Sequence, residues 1–140
     1  MKKSILLIGA GQLGSRHLQA LALLENSCDI YVIDPSKTSL DIAKIRSEEV
    51  IGFEKHRIKY ISSIQKLKQN RFSLAIIATN SDIRSLIIKN LLEKIKIDFF
   101  ILEKVLFQTI KEYEEIKDLF NKTNSKSFIN TPGRTFKLYQ

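Results

Sequence analysis

Short apolar runs alternate along the chain with longer segments whose apolar residues recur at helical spacing. The runs are rich in β-branched and aromatic residues, and they predict strands at residues 4–8, 29–34, 57–61, 72–80, 98–105 and 125–131. The segments between them predict helices at residues 13–25, 37–49, 82–93 and 109–122, with a shorter one at 64–69. Strand and helix therefore alternate from one end of the chain to the other.

This alternation predicts a single α/β domain over residues 1–140. Parallel strands need crossover connections, and helices on both faces of a sheet supply them. The strand at 72–80 is apolar on both faces, as a central parallel strand must be. We therefore expect a doubly wound parallel sheet of about six strands, with helices on both faces.

Two of the predicted helices have an apolar face, and two have a candidate capping residue at their start. The apolar faces comprise Leu13, Leu18, Leu21 and Leu24 in the first helix, and Ile83, Leu86, Ile87 and Leu91 in the helix at 82–93. Ser36 can cap the helix at 37–49 through its hydroxyl, and Thr109 opens the last helix.

The sequence GAGQLG, residues 9–14, lies directly between the first strand and the first helix. In this context a GxGxxG is typical of the Rossmann-type dinucleotide-binding fold. Gly9 allows a tight turn, Gly11 leaves space for a pyrophosphate, and Gly14 lets the helix pack close to the strand. The helix N-terminus, at Gln12 and Leu13, offers free amides to the phosphates. The alternative is a tight turn that binds no ligand.

Asp34 closes the second strand, 20 residues after Gly14. A carboxylate there can accept hydrogen bonds from both adenosine ribose hydroxyls and would repel a 2′-phosphate, which favours NAD over NADP. Lys37 and Arg57 leave NADP possible, because a cation near the ribose could offset that repulsion. The alternative role of Asp34 is that of a turn or capping residue before Pro35.

Thr79 and Asn80 end the fourth strand, beside the switch point at which ligands bind in open α/β sheets. Their polar groups are predicted to line the cofactor cleft. Asn80 or Ser81 could also cap the next helix, and the two roles can coexist.

Several stretches share their order and spacing with one enzyme family. They are LLIGAGQLGSRHLQAL, YVIDPS, IIATNSDIRSLIIKNLL, FFILEKVL at residues 99–106 and FINTPGRTF at residues 128–136. On these stretches nearly the whole chain resembles the N-terminal domain of the Gfo/Idh/MocA oxidoreductase family, and the Glu103-Lys104 pair is their most specific part. Members of this family oxidise or reduce sugars, inositols and related polyols with a nicotinamide cofactor.

The resemblance implies roles for the two residues that end the fifth strand. In the family this strand ends in a Glu-Lys-Pro motif, whose lysine lies near the nicotinamide ribose and the reacting carbon. That lysine orients the substrate hydroxyl and supports proton transfer. By this resemblance Lys104 is the candidate catalytic residue and Glu103 lines the cofactor site. Without the resemblance, the pair would be interpreted as a surface ion pair.

Several positions depart from the family pattern. Val105 stands where the proline of the motif is expected, Asn80 stands where a proline commonly follows the threonine, and Arg84 stands where a histidine is frequent. The glycine usually found before the fifth strand is absent. Arg134 resembles an arginine that often follows the sixth strand.

The family also carries a C-terminal α/β domain, which supplies a catalytic histidine or aspartate, most of the substrate pocket and the oligomer interface. This chain stops where that domain would begin, so we expect a cofactor-binding half, truncated or naturally short. His17, near the phosphates, and His56, in a charged loop, are interpreted as satisfied or solvated rather than as substitutes. We expect cofactor binding with little or no turnover, and no metal site.

Two other functions remain open. One is an NAD-sensing regulatory domain of the kind found in potassium-transport regulators, and the other is a non-catalytic Rossmann scaffold. The regulator predicts a dimer of the isolated chain, whereas the half-enzyme predicts a monomer or a loose homo-oligomer that associates through uncovered apolar surface.

Composition adds constraints on partners and compartment. The net charge of +8 comes from scattered lysines, and no aromatic-flanked basic run favours nucleic acid. The single cysteine, Cys28, excludes an internal disulfide and is interpreted as a core residue. The N-terminal apolar run is interrupted by glycines, unlike a signal peptide, and none approaches a membrane span, so we expect a cytoplasmic protein.

Overall fold

Strands and helices alternate through residues 2–131, which are the residues that the computed structural model describes. The strands are β1 (Lys3–Ile8), β2 (Cys28–Ile33), β3 (Arg57–Ile61), β4 (Arg71–Ile77), β5 (Lys96–Glu103) and β6 (Lys126–Asn130). The helices are α1 (Gln12–Ala22), α2 (Lys37–Glu48), α3 (Ser81–Leu92) and α4 (Ile110–Thr123), with 3₁₀ turns at Phe53–Lys55 and Ile64–Lys66. Arg134 lies outside the described residues.

The strands form one parallel sheet in the order β3-β2-β1-β4-β5-β6. The predicted doubly wound α/β fold is therefore confirmed. The chain moves outward from β1 to β3 and then returns to place β4 on the other side of β1. This reversal makes the carboxyl ends of β1 and β4 the switch point at which open α/β sheets bind ligands.

The core consists of two apolar layers, one on each face of the sheet. Alternate residues of β1 enter different layers: Ile5 and Leu7 face one, and Leu6 and Ile8 face the other. The first layer contains Leu18 and Leu21 of α1 with Leu40 and Ala43 of α2. The second layer contains Ile88 and Leu91 of α3 with Ile116 and Phe120 of α4. Burial on both faces explains why the strand sequences are continuously apolar.

Two predicted helix faces need correction. Helix α1 ends at Ala22, and Leu13 and Leu24 are exposed rather than part of its buried face. In α3, Ile83 and Leu86 are also exposed. The buried side chains of α3 are Arg84, Ser85, Ile88 and Leu91. The helix expected at 64–69 is a single 3₁₀ turn.

The face of the sheet over β4 to β6, on the side of α1, carries exposed aromatic rings. Phe99 and Phe128 are each about half exposed, at 52% and 50%. With Leu74 and Ile101 they line a groove of about 1420 Å³. The residues lining this groove include none of the predicted cofactor-binding positions. Among the helices of residues 2–131, none combines the length and the apolar character needed to span a membrane.

Both predicted helix caps are present. The hydroxyl of Ser36 accepts a hydrogen bond from the Ser39 amide at the start of α2. Thr109 begins α4 with a capping box, in which its hydroxyl accepts from the Glu112 amide while the Glu112 carboxylate accepts from the Thr109 amide.

Replacing Thr109 with alanine should destabilise the protein by about 1 kcal/mol, because an N-terminal amide of α4 loses its acceptor.

The Ser85 hydroxyl, which donates to the Glu112 carboxylate at 2.6 Å, holds the pKa of Glu112 below its ordinary 4.5, and burial opposes this shift. A pKa lowered on folding contributes stability above the unfolded value, and that stability is lost as pH falls through the folded value. Glu112→Gln should therefore lose less stability below pH 4.5 than the wild type.

Urea unfolding at neutral pH and at about pH 4 tests this prediction. Glu114→Gln is the control, since Glu114 is exposed and makes no ion pair or side-chain hydrogen bond within residues 2–131. An equal acid sensitivity of Glu112→Gln and wild type would contradict it.

Candidate functional site

The carboxyl ends of the strands bring the predicted site residues to one edge of the sheet. In the strand register, Ile8 pairs with both Ile33 and Ile77, and Ile77 pairs with Leu102. These residues are the last or nearly the last of their strands. The segments that follow them therefore start side by side, and they carry the glycine turn, Asp34, Thr79, Asn80, Glu103 and Lys104.

The glycine turn between β1 and α1 depends on two glycines for its own packing. Gly9 has φ +90°, which side-chain-bearing residues rarely adopt, and a Cβ there would lie 2.9 Å from the Ala78 carbonyl oxygen. A Cβ on Gly14 would lie 1.8 Å from the Gly9 carbonyl oxygen. Helix α1 therefore packs directly against the turn, as the spacing of the glycines requires.

Gly11 differs from these two glycines. A Cβ there would meet no atom within 4 Å, and its φ of −64° is open to any residue. Gly11 is also the N-cap of α1, and no side chain within residues 2–131 caps this helix. The first-turn amides, including those of Gln12 and Leu13, therefore have no side-chain acceptor within residues 2–131, which suits an anion at a helix N-terminus.

Asp34 links the end of β2 to the glycine turn. Its Oδ2 accepts from the Ala10 amide at 2.7 Å, and its Oδ1 accepts from the Ser36 amide at 2.8 Å. A carboxylate has about four acceptor positions, so two amides leave capacity for ribose hydroxyls. Asp34 is thus anchored in orientation while it remains partly exposed. The turn role and the binding role, which were alternatives in the sequence, are compatible in this geometry.

The two cations considered for NADP lie in different places. The ammonium of Lys37 is 2.6 Å from Asp41 on the surface of α2. Arg57 begins β3, where it pairs with Asp29 at the amino end of the sheet. Arg57 is therefore at the opposite end of the strands from Asp34.

Thr79 and Asn80 lie between β4 and α3, next to the glycine turn. The Thr79 hydroxyl is buried and has no hydrogen-bond partner within the described part of the chain. Asn80 occupies the N-cap position of α3, but its exposed side chain makes no capping hydrogen bond. Neither side chain is therefore committed to another contact within residues 2–131.

Glu103 ends β5 and Lys104 follows it, and the two side chains have opposite environments. Glu103 is buried, and its Oε1 accepts from His17 Nε2 at 2.6 Å and from Asn130 Nδ2 at 2.7 Å. An ionised carboxylate only accepts, so the protonated Nε2 of His17 is the donor. Lys104 is exposed and forms no ion pair within residues 2–131, and the Lys104–Val105 peptide bond is cis. The pair is therefore not the surface ion pair that the sequence also allowed.

The sequence did not reveal that Arg84 connects the segments that follow β4 and β5. Its guanidinium is buried in α3 and donates to the carbonyl oxygens of Thr79, Glu103, Val105 and Leu106. The sequence feature that could have indicated this burial is the position of Arg84 on the same face of the helix as Ile88 and Leu91.

The two histidines have separate environments. His17 in α1 meets Glu103 at the predicted site. His56 lies in the charged loop between the first 3₁₀ turn and β3, as expected, and its side chain is buried there. Its Nδ1 accepts from the Cys28 amide and its Nε2 contacts the Ala22 carbonyl oxygen. His56 is thus a satisfied structural residue, and Cys28 is a buried core residue as expected.

Comparisons with known proteins agree on an NAD-binding Rossmann fold. A family model described as an oxidoreductase family with an NAD-binding Rossmann fold matches residues 3–131. No curated protein gives a sequence match. Three similar solved structures are enzymes that were crystallised with nicotinamide cofactors.

The WlbA dehydrogenase of Bordetella pertussis, in complex with NADH and UDP-GlcNAcA, has a TM-score of 0.80 at 15% identity, over 100% of this chain and 40% of its own. The scyllo-inositol dehydrogenase of Lactobacillus casei, with NAD(H) and scyllo-inositol, gives 0.71 at 18%, over 98% and 38%. An oxidoreductase of Agrobacterium radiobacter, in complex with NAD+, L-tartaric acid and magnesium, gives 0.74 at 12%, over 93% and 35%. At these identities the likeness shows the fold, and the chain spans well under half of each neighbour.

Proposed function

Because the chain belongs to the Gfo/Idh/MocA oxidoreductase family and carries its NAD-binding Rossmann domain, we propose that it binds NAD(H) across the carboxyl edge of the sheet, as the cofactor half of a hydride-transferring enzyme. The observation that carries this proposal is the open space at Gly11, beside uncapped first-turn amides. A pyrophosphate fits there because backbone donors and the positive end of the α1 dipole converge on it.

The adenosine half of the cofactor is assigned to the β1–β3 side of the switch point. Asp34 is held by the Ala10 and Ser36 amides, and its remaining acceptor capacity suits the two ribose hydroxyls. A 2′-phosphate would meet this carboxylate. Arg57 lies at the other end of the sheet and cannot offset the repulsion, and the ammonium of Lys37 is paired with Asp41. The geometry therefore favours NAD over NADP.

The nicotinamide half is assigned to the β4–β6 side, where Thr79, Asn80 and Glu103 lie. When bound, the nicotinamide ring supplies hydride transfer. The carboxylate of Glu103 is oriented by its contacts with His17 and Asn130. Lys104 projects from the same strand end with no competing partner within residues 2–131, so its ammonium is free to hydrogen-bond a substrate oxygen.

The substrate class proposed is a sugar, polyol or related hydroxy compound. The family resemblance of the Glu103-Lys104 pair supports this, as do neighbours that hold a nucleotide sugar acid or an inositol. An amine at a strand end can orient a hydroxyl and exchange its proton, but it cannot alone enclose a substrate. We therefore assign turnover to a longer protein and expect residues 1–140 to bind cofactor with little or no catalysis.

Calorimetric titration of this chain with NADH and with NADPH tests the proposal. We expect NADH to bind at least about tenfold more tightly than NADPH, which corresponds to about 1.4 kcal/mol. Asp34→Ala should weaken NADH binding by about 10- to 100-fold, because the ribose hydroxyls lose their acceptor.

Asp118→Ala is the matched control, since it removes the same charge from an exposed position on α4. Its affinity for NADH should equal that of the wild type. Equal binding of NADH and NADPH would refute the preference for NAD. Failure to bind either cofactor would instead favour the non-catalytic scaffold.

A further inference from the structure

Arg84 is a buried cation whose hydrogen bonds end on two separate segments of the chain. The residue is only 2% exposed. Its Nη2 donates to the carbonyl oxygen of Thr79, which follows β4. Its Nη1 donates to the carbonyl oxygens of Glu103, Val105 and Leu106, which follow or end β5.

The contacts of Arg84 surround Lys104 on both sides. The Glu103 carbonyl belongs to the Glu103–Lys104 peptide, and the Val105 carbonyl belongs to the Val105–Leu106 peptide, one residue beyond Lys104. The same guanidinium reaches the Thr79 carbonyl across the gap between the strand ends. The relative position of the two segments is therefore set by one planar group with fixed donor directions.

Burial of the Arg84 guanidinium costs free energy unless the group is well paired. Burial lowers the pKa of Arg84 from its ordinary value, and the nearby Glu103 charge opposes that shift. One nitrogen, Nε, has no partner within residues 2–131, so the pairing is incomplete. Hydrophobic packing of α3 alone would be served better by an aliphatic residue.

We propose that Arg84 is a positioning residue for the nicotinamide half of the cofactor site. It holds the Thr79 segment and the Glu103–Leu106 segment at the separation that the nicotinamide nucleotide requires. Arg84 forms no hydrogen bond to Asp34 or to the glycine turn, so we expect the adenosine half of the site to depend on it far less. This inference rests on the proposed function, since it assumes that NAD(H) binds at the same edge of the sheet.

The test compares NADH with ADP-ribose, which lacks the nicotinamide, on the chain of residues 1–140. Wild type should bind NADH about tenfold more tightly than ADP-ribose. Arg84→Met should reduce this ratio to about one while the affinity for ADP-ribose changes by less than about twofold. A merely structural role of Arg84 would lower both affinities together or neither, so the ratio separates the two roles.

Two further variants keep the inference open to refutation. Ile88→Ala removes a buried side chain one turn further along α3 and should lower the melting temperature without changing the ratio. Arg84→Lys keeps the charge, but a single ammonium cannot span both segments, so its ratio should also fall. If Arg84→Met does not fold, Arg84→Lys decides the question.

Each outcome has one meaning. A reduced ratio in the Arg84 variants, with the wild-type ratio in Ile88→Ala, supports the positioning role. An unchanged ratio in a folded Arg84 variant overturns it, and so does equal binding of NADH and ADP-ribose by the wild type. A wild type that binds neither compound overturns the proposed function itself.

Discussion

Replacing Gly14 with alanine is expected to destabilise the domain by more than about 3 kcal/mol, as an extreme case of overpacking. The added Cβ would lie 1.8 Å from the carbonyl oxygen and 2.7 Å from the carbonyl carbon of Gly9. Gly9 cannot move away easily, because its amide donates a hydrogen bond to the Ile33 carbonyl oxygen. The tight turn also requires its φ of +90°. Urea unfolding measures the loss.

Gly11→Ala is the matched control, since it adds the same methyl group two residues from Gly9. That methyl meets no protein atom within 4 Å, so stability should change by less than about 1 kcal/mol. The methyl does enter the space assigned to the pyrophosphate, and NADH affinity should fall at least about tenfold. The pair of variants thus separates a glycine needed for folding from one needed for binding. Native-like stability of Gly14→Ala would contradict the packing described for α1.

Replacing Glu103 with alanine is expected to cost about 3 kcal/mol of stability, because two donors in a largely buried place lose their shared acceptor. Those donors are His17 Nε2 and Asn130 Nδ2. The lost contacts connect three elements, because Glu103 ends β5, His17 lies in α1 and Asn130 ends β6. Thermal unfolding of the purified variant measures it.

Lys104→Ala is the neighbouring control and should change stability by less than about 0.5 kcal/mol, as is usual for exposed positions. In a complete enzyme we expect this variant to lower turnover far more than cofactor affinity. Equal loss of both would place Lys104 in cofactor binding alone. Equal destabilisation by the Glu103 and Lys104 variants would contradict their opposite environments.

The order of elements was predictable because a parallel sheet imposes strong patterns on its sequence. Both faces of β1 and β4 are buried, so these strands stand out as continuous apolar runs. The positions of Asp34, Thr79 and Glu103 follow from the same rule, because residues after parallel strands meet at one edge. The glycine spacing added the position of α1, since Gly9 and Gly14 are needed for its close packing.

The buried face of α3 could not be predicted from its apolar residues. Ile83 and Leu86 lie on one side of this helix and Ile88 lies on another, so periodicity alone does not select the inner side. The structure selects the side that carries Arg84, because main-chain carbonyls beneath it offer acceptors for the guanidinium. Those carbonyls belong to segments up to 22 positions away in the sequence, where no local pattern reveals them.

The contacts of Glu103 were out of reach for a similar reason. Its partners His17 and Asn130 lie 86 and 27 positions away. The resemblance to a family indicated that Glu103 belongs to the cofactor site. The side-chain network that orients the carboxylate depends on the packing of α1 and β6 against β5, which only the folded chain defines.

The strand order has a consequence for how the molecule folds. Most neighbouring strands are joined by a short crossover, but β1 pairs with β4, so that Ile5 meets Leu74. The units β1–β3 and β4–β6 can each form from local contacts, whereas their junction closes a long loop and carries the larger entropic cost. The proposed cofactor spans that junction, with Gly11 and Asp34 on one side and Thr79 and Glu103 on the other. Its binding free energy would therefore add to the stability of the junction between the two units.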